Sequence, residues 1–305
     1  MTRIHYAAAL AVAGAAIYAP ARAHVVVGER TFPVTLTFDD PGVGDEATLP
    51  NLVWQRSAGP SNQYQGQWEY DKRITETTAL IYNQGYDLFQ TPGQNNKTAF
   101  ENIVITGKWQ GYTNPDHEFV ASFGVQREMY GGPATANIGG DFYGATAPTL
   151  YFGKGLGDLP IGNLRPLAVT GELSLAVPDR RLNWNLDNNG TPLTWKGGLS
   201  LQYSIPYLQS QVKDYGLPEY IGRLNPLVEV TWTSPAASPG GGNPMQLMAG
   251  VGALYLGDSY QLGLEALIPL NKAAGQNVGV IFQLHWYFDD IFPNTLGKPL
   301  ANWFK

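Results

Sequence analysis

Residues 193–205 read Leu-Thr-Trp-Lys-Gly-Gly-Leu-Ser-Leu-Gln-Tyr-Ser-Ile, so that apolar residues or glycine alternate with mostly polar ones. This alternation with a period of two is typical of a β-strand with one apolar face, because successive side chains of a strand point to opposite faces. The run exceeds the roughly five or six residues of an ordinary strand. It reaches the roughly 9–11 residues that a tilted strand needs to cross a bilayer. The stretch therefore predicts a membrane-spanning strand.

The same pattern recurs along most of the chain and predicts about twelve strands. Their predicted bounds are 48–54, 62–70, 77–86, 99–110, 118–129, 146–153, 166–177, 193–205, 221–233, 245–255, 260–270 and 277–288. Ten strands remain if the two weakest, 48–54 and 146–153, are left out. An even number of strands places the first and the last residue of the barrel on the same side of the membrane. The connectors alternate between long ones rich in Gly, Pro and Asn and mostly shorter ones, as in outer-membrane barrels.

The composition narrows the class of protein further. Charged residues make up only 14% of the chain, against roughly 25% in an ordinary soluble domain. The formal net charge of −6 argues against a nucleic-acid partner held through phosphates. The chain contains no cysteine, which excludes a disulfide scaffold, a cysteine nucleophile and a lipoprotein anchor.

Two observations indicate that the apolar strand faces point outward into lipid. The polar faces carry mostly Gly, Ser, Thr and Gln, whereas a solvated exterior is normally far richer in Lys and Glu. Aromatic residues also fall at strand ends, such as Trp109 and Trp286 on one side and Trp195 and Trp232 on the other, as at two membrane interfaces. We therefore predict an all-β protein: a transmembrane antiparallel β-barrel in the outer membrane of a Gram-negative cell. The alternative, a secreted soluble β-barrel that binds a ligand, has the two faces reversed.

The two ends of the chain are predicted to differ from the barrel. Arg3 and His5 precede an apolar stretch that ends before Pro20-Ala21-Arg22-Ala23, which is the pattern of a secretory signal peptide at 1–23. Residues 24–47 either lie in the periplasm or fold into the lumen as a plug, and their acidic stretch 39–46 is predicted to be a solvated turn. The barrel is predicted to span 48–288, followed by a periplasmic C-terminal tail at 289–305.

The barrel region, from about Asn62 to Phe288, resembles bacterial outer-membrane β-barrel proteins. It is most similar to the transporter group associated with the MetA pathway of phenol degradation. The resemblance is carried by the alternating strands, the turn Asp71-Lys72-Arg73-Ile74-Thr75-Glu76, and the aromatic-ended strand 279–288, Gly-Val-Ile-Phe-Gln-Leu-His-Trp-Tyr-Phe. It implies recognition of this last strand by the outer-membrane assembly machinery. It also implies passage of small molecules, with hydrophobic or aromatic compounds among them.

Candidate functional residues are those that the alternation places in the lumen. They are Lys108, Glu172, Lys196, Gln202, Glu229, Glu265, Gln283 and His285. For each of them, pairing with another lumen residue is an alternative to contact with a solute. His24 would become the first residue after cleavage, and its amine and imidazole make it an isolated candidate for binding Cu(II). We find no catalytic constellation and no cofactor motif, and predict that the protein is not an enzyme.

These features predict a channel or transporter for small solutes, with outer-membrane lipid, a solute and the assembly machinery as partners and no nucleic acid. The competing interpretation is a structural or partner-binding barrel without transport, whose outer loops make the contacts. An intermediate strand number predicts a narrow or partly filled lumen, because about eight strands are filled by side chains and 16–18 leave a water-filled pore.

Overall fold

The computed structural model describes residues 25–56, 60–138, 140, 143–180, 192–236 and 245–303. The predicted signal peptide at 1–23 and the copper candidate His24 lie outside these residues. Fifteen strands are described. They are β1 (Val25–Val27), β2 (Arg30–Phe32), β3 (Glu46–Arg56), β4 (Asn62–Arg73), β5 (Thr78–Gln90), β6 (Lys97–Phe100), β7 (Val104–Asn114), β8 (Phe119–Glu128), β9 (Ala145–Gly155), β10 (Leu167–Pro178), β11 (Thr194–Tyr203), β12 (Leu224–Pro235), β13 (Gln246–Leu256), β14 (Tyr260–Pro269) and β15 (Gly279–Tyr287).

Twelve of these strands form a closed antiparallel barrel. Each of β3–β5 and β7–β15 pairs with its neighbours along the chain, and β15 pairs with β3 to close the ring. The prediction of twelve strands is confirmed, and the count of ten is wrong. Closure leaves no sheet edge, so the backbone groups of the ring find partners within it.

The predicted strand 99–110 is interrupted. Its first part belongs to the short strand β6, which pairs with the outer half of β5, and β7 starts only at Val104. Between them, Glu101 accepts hydrogen bonds from two side-chain amides of β4, and the Asn102 amide donates to Glu128 (2.7 Å). These long-range contacts at 101–102 replace the strand that alternation alone predicts.

The register places apolar side chains outside and polar ones inside. On β11, Leu199 is 45% exposed while its neighbour Ser200 is 1% exposed, and Ser200 is paired with the buried Glu229 of β12. The same contrast recurs around the ring. Outward-facing, exposed apolar side chains include those of Leu150, Leu173, Leu201, Val228, Val251, Leu264 and Val280. A soluble barrel requires the opposite arrangement.

Aromatic side chains form contacts at one end of this apolar surface. The rings of Tyr255 and Tyr260 lie 6.3 Å apart, and those of Tyr260 and Trp286 lie 6.4 Å apart. Aromatic rings favour the interface between lipid and water. With its closed ring, apolar exterior and polar interior, the protein is a transmembrane barrel of the bacterial outer membrane. The soluble alternative is wrong.

Connector lengths assign the two ends of the barrel. At the end that holds both termini, the connectors at 74–77, 115–118 and 257–259 are short, while 91–103 and 129–144 at the other end are longer. Outer-membrane barrels have short periplasmic turns, so the first end is periplasmic. Two other periplasmic connectors are longer and carry short helical turns. The connector between β11 and β12 contains both α2 (Ile205–Tyr207) and α3 (Glu219–Gly222). Helix α1 (Gly132–Asn137) lies in an outer loop.

The residues after β15 pack against the periplasmic turn between β4 and β5. They begin with helix α4 (Phe288–Ile291). The Lys72 ammonium donates to the carbonyls of Leu296 and Lys298, both at 2.8 Å, and the Arg73 guanidinium donates to Asp289 at 2.9 Å. Among the described residues, no helix is both long enough and apolar enough to cross a membrane.

A charge on the lipid face should destabilise the barrel according to its depth. Leu264 lies at the centre of β14 and is 57% exposed, so Leu264→Arg should lower the free energy of unfolding by about 2–4 kcal/mol. Leu270, on the same face at the outer end of β14, serves as the control: Leu270→Arg should cost no more than about 1 kcal/mol. Urea unfolding in phospholipid vesicles measures both values. Equal effects at the two positions would contradict the lipid-facing assignment.

Candidate functional site

The segment formed by residues 25–45, called here the inner segment, lies within the barrel. It contacts inward-facing side chains on strands around the whole ring. These contacts join Gln261 (β14) to the Val34 carbonyl, Gln283 (β15) to the Thr35 carbonyl, Glu229 (β12) to Thr37, Lys108 (β7) to Asp39 and Ser122 (β8) to the Pro41 carbonyl. Only a segment inside the ring can contact opposite walls in this way.

The inner segment begins as a hairpin at the periplasmic mouth. Strands β1 and β2 pair there, and the fully buried Arg30 donates from Nε to a carboxylate oxygen of Glu118 at 3.2 Å and from Nη1 to the Pro166 carbonyl at 2.9 Å. The Arg30 guanidinium also lies 3.8 Å from the centre of the Tyr207 ring. A buried guanidinium needs such compensation because its desolvation is costly. This set of contacts fixes the hairpin to the periplasmic side of the barrel wall.

The apex of the inner segment, residues 36–39, reaches the middle of the lumen. Leu36 packs in an apolar cluster with inward-facing side chains of β12–β15: Leu227, Leu254, Leu267 and Ile281. The Thr37 amide donates to Glu229 at 3.1 Å. Phe38 lies against Gly198 of β11, where an added Cβ would lie only 2.6 Å from the Phe38 Cγ. Glycine at 198 thus makes room for the aromatic ring.

Lys108 forms the main ionic contact of the apex. Its ammonium lies 2.9 Å from a carboxylate oxygen of Asp39 and 2.6 Å from the Asp40 carbonyl oxygen, and it is 4.4 Å from the centre of the Tyr151 ring. The side chain of Asp40 is 3.8 Å away. Lys108 is 3% exposed, so these contacts compensate a charge that is shielded from solvent.

The predicted solvated turn at 39–46 is wrong. Asp40, Asp45 and Glu46 are 3%, 0% and 4% exposed. Their compensating groups come from elsewhere in the chain: Lys108 lies beside Asp40, and Lys72 and Arg73 both contact Asp45. A run of carboxylates is normally solvated, but inside a barrel it is stabilised by cations that the wall supplies.

The structure brings several of the predicted lumen residues together around the inner segment. Besides Lys108, Glu229 and Gln283, Glu172 accepts a hydrogen bond from the Asp39 amide at 3.2 Å. Glu265 is buried on β14, and the single strand β13 separates β14 from β12, the strand of Glu229. Lys108, Glu172, Glu229 and Gln283 thus hold the inner segment instead of lining an empty pore, whereas Glu265 makes no hydrogen bond to it.

The three other predicted lumen residues lie apart from the apex. His285 contacts Thr48 through Nδ1 and Glu46 through Nε2, both at 2.8 Å. Gln202 accepts a hydrogen bond from Asn225 at 3.1 Å near the periplasmic end. Lys196 is exposed to a cavity in the lumen and makes no hydrogen bond or ion pair with the residues that the structure describes.

Two adjoining cavities lie beside the apex. The larger extends along Val34 and Thr35 to Thr48 near the periplasmic end of β3, and the smaller lies toward the outer ends of β3, β12 and β13. Their volumes are about 400 Å³ and about 290 Å³, and Leu36, Thr37 and Gln67 line both. Much of the remaining wall is neutral and polar, with Gln55, Gln65, Gln126 and Gln246 among its residues. Sequence reasoning did not include these glutamines, although the spacing of Gln63, Gln65 and Gln67 already places them on one strand face.

The described residues offer no group of three or more His, Asp or Glu side chains placed to hold a metal ion. The comparisons with known proteins also give no closer assignment. No family model and no curated protein matches the sequence, so the resemblance to the phenol-degradation transporter group stays a prediction.

Among solved structures, the chain is similar to two porins and an autotransporter domain. The NanC porin has a TM-score of 0.49 and 8% identity, with 78% of this chain and 98% of that chain covered. The KdgM porin has a TM-score of 0.44 and 8% identity, with 78% and 99% covered. The β domain of the Bordetella autotransporter BrkA has a TM-score of 0.43 and 14% identity, with 80% and 98% covered. These likenesses are too distant to assign a function.

Removing the ammonium of Lys108 should leave Asp39 and Asp40 without compensation. Lys108→Met should therefore lower the free energy of unfolding by about 3–5 kcal/mol, as expected for a broken buried ion pair. Lys154, whose ion pair with Asp158 is largely solvated, provides the control, and Lys154→Met should cost less than about 1 kcal/mol. Both values follow from urea unfolding in vesicles. Equal losses for the two variants would show that the Lys108 contacts contribute no more than a surface pair.

Proposed function

We propose that the protein is a passive channel for small polar solutes across the outer membrane. The observation that carries this proposal is the incomplete filling of the lumen. The inner segment contacts the barrel wall through side-chain and backbone groups, and two cavities remain beside it, the smaller of them toward the outer side. A displacement of the inner segment toward the periplasm would join these cavities to the periplasmic mouth.

The interior charge favours cations over anions. Among the buried side chains of the described residues, nine carboxylates stand against three basic groups. The carboxylates are those of Asp40, Asp45, Glu46, Asp71, Asp87, Glu118, Glu229, Glu265 and Asp289, and the basic groups are those of Arg30, Lys108 and His285. A lumen with an excess of one sign of charge raises the local concentration of ions of the opposite sign. We therefore propose a channel with a preference for cations.

The proposal does not extend to the hydrophobic and aromatic compounds implied by the sequence resemblance. The walls of both cavities present amide and hydroxyl groups, which would lose hydrogen bonds to water against an apolar solute. The competing function, a structural or partner-binding barrel without transport, requires the inner segment to stay in place. The two functions therefore differ in the mobility of the inner segment.

A disulfide can test this mobility because the chain has no native cysteine. The Cβ position at residue 198 lies 2.6 Å from the Cγ of Phe38, so cysteines at these two positions are within disulfide reach. In planar bilayers, the Phe38→Cys/Gly198→Cys variant should conduct when reduced and lose most of its conductance when oxidised. Each single cysteine variant serves as a control and should not respond to oxidation. Equal conductance of the double variant in both states would contradict gating by the inner segment.

Ion selectivity tests the charge of the lumen separately. Glu229→Gln combined with Glu265→Gln should lower the permeability ratio of K⁺ to Cl⁻ by about twofold, because the variant removes the negative charge that this pair of inward-facing carboxylates carries. Glu219→Gln, on the exposed periplasmic helix α3, should leave the ratio unchanged. Reversal potentials in a salt gradient measure the ratio, and an unchanged value in the double variant would exclude these carboxylates from the ion path.

A further inference from the structure

The smaller cavity, called here the amide cavity, has an uncharged wall. Its volume is about 290 Å³, near the lower end of the range for small-molecule sites. The polar side chains on its wall are Gln55, Gln65, Gln67, Gln246, Thr37, Thr231 and Thr233. None of the described residues that line it is ionisable, whereas Asp39, Glu69 and Lys196 line its larger neighbour. The amide cavity is thus a neutral region within a charged lumen.

Hydrogen bonds behind the wall hold the amides in place. The Gln55 side-chain amide donates to the side-chain oxygen Oε1 of Gln63 at 3.0 Å, and the Gln63 side-chain amide donates to Asp87 at 3.0 Å. The amides of Gln65 and Gln67 both donate to Glu101. Each donating amide nitrogen keeps a second N–H, and the oxygens of Gln65 and Gln67 accept no hydrogen bond from the described residues. The wall therefore offers fixed donors and acceptors side by side.

Apolar side chains cover another part of the same wall. Leu36 and Met248 line the cavity together with Val53 and Ile281. Leu36 belongs to the apex of the inner segment, so the floor of the amide cavity is supplied by the same segment that fills the lumen. A ligand that fits this wall needs both hydrogen-bonding groups and C–H surface.

We propose that the amide cavity binds an uncharged polyhydroxylated solute of about the size of a monosaccharide. Hydroxyl groups both donate and accept, as the amides do, and the C–H face of a sugar ring matches the apolar floor. An ion would find no opposite charge on the cavity wall, and an apolar solute would leave the amides unpaired. This proposal rests on the proposed channel function and specifies the class of its solute. Binding of the solute can nevertheless be measured without conduction.

Binding of glucose to the full chain in detergent tests this proposal by isothermal titration calorimetry. Glucuronate and glucosamine serve as anionic and cationic probes of the same ring, and phenol serves as an apolar probe. Glucose should bind, and the three other probes should bind more weakly. Gln65→Leu, which keeps side-chain volume and removes the amide, should weaken glucose binding about tenfold. Gln94→Leu, on an exposed outer loop, should leave the affinity unchanged.

Several results would overturn the proposal. They are absence of glucose binding to the unaltered protein, tighter binding of any other probe, and equal affinity of the Gln65→Leu and Gln94→Leu variants. Heat-dependent gel mobility shows whether the Gln65→Leu variant folds. If it does not, Thr233→Val takes its place, because this change removes a hydroxyl from the same cavity wall. Thr233→Val should weaken glucose binding severalfold. Conductance measured on the same preparation separates the two proposals, because a protein that conducts without binding glucose disproves only this one.

Discussion

The hydrogen-bonding demand of the backbone in lipid is the constraint on which the rest of this structure depends. No water is present in the hydrocarbon layer, so every strand must find partners on both sides, and the pairing of β15 with β3 provides the last of them. Closure then fixes the role of each strand face. One face of each strand meets lipid and the other meets the lumen. This division explains why Leu199 and Leu264 are apolar and exposed, while their neighbours Ser200 and Glu265 are polar and buried.

A ring of twelve strands encloses more space than its own side chains fill. In this chain the inner segment takes up the periplasmic part of that space, at the cost of burying several carboxylates. Arg30 and Lys108 offset part of this cost through short contacts with Glu118, Asp39 and the Asp40 carbonyl. The space beside the apex is lined mostly by glutamine, asparagine and threonine side chains, with carboxylates such as Glu69 and Glu101 among or behind them. The lumen thus combines ionic contacts that hold the inner segment with cavities whose walls are largely amide and hydroxyl.

Local sequence information was sufficient for the barrel because strand alternation is a local property. The predicted bounds of β8, β10, β11 and β14 differ from the observed ones by no more than two residues at either end. The interruption at 101–102 was missed, since it depends on side chains of β4 and β8 that are distant in sequence. For the same reason the prediction of a solvated turn at 39–46 is wrong, since the cations that compensate its carboxylates lie on distant strands. Alternation placed the predicted lumen residues on the correct face, but it could not indicate that most of them contact residues 34–48 or one another.

The inner segment also has a consequence for the order of events in biogenesis. It precedes the barrel in the chain and is synthesised before it, yet most of its partners lie on strands from β7 to β15. These long-range contacts become available only when the last strands are in place, and loop-closure entropy opposes their earlier formation. Both ends of the segment leave through the periplasmic mouth, so it can enter a finished ring from that side without threading the chain. The lumen is thus filled last, by a segment that precedes the barrel strands in the chain.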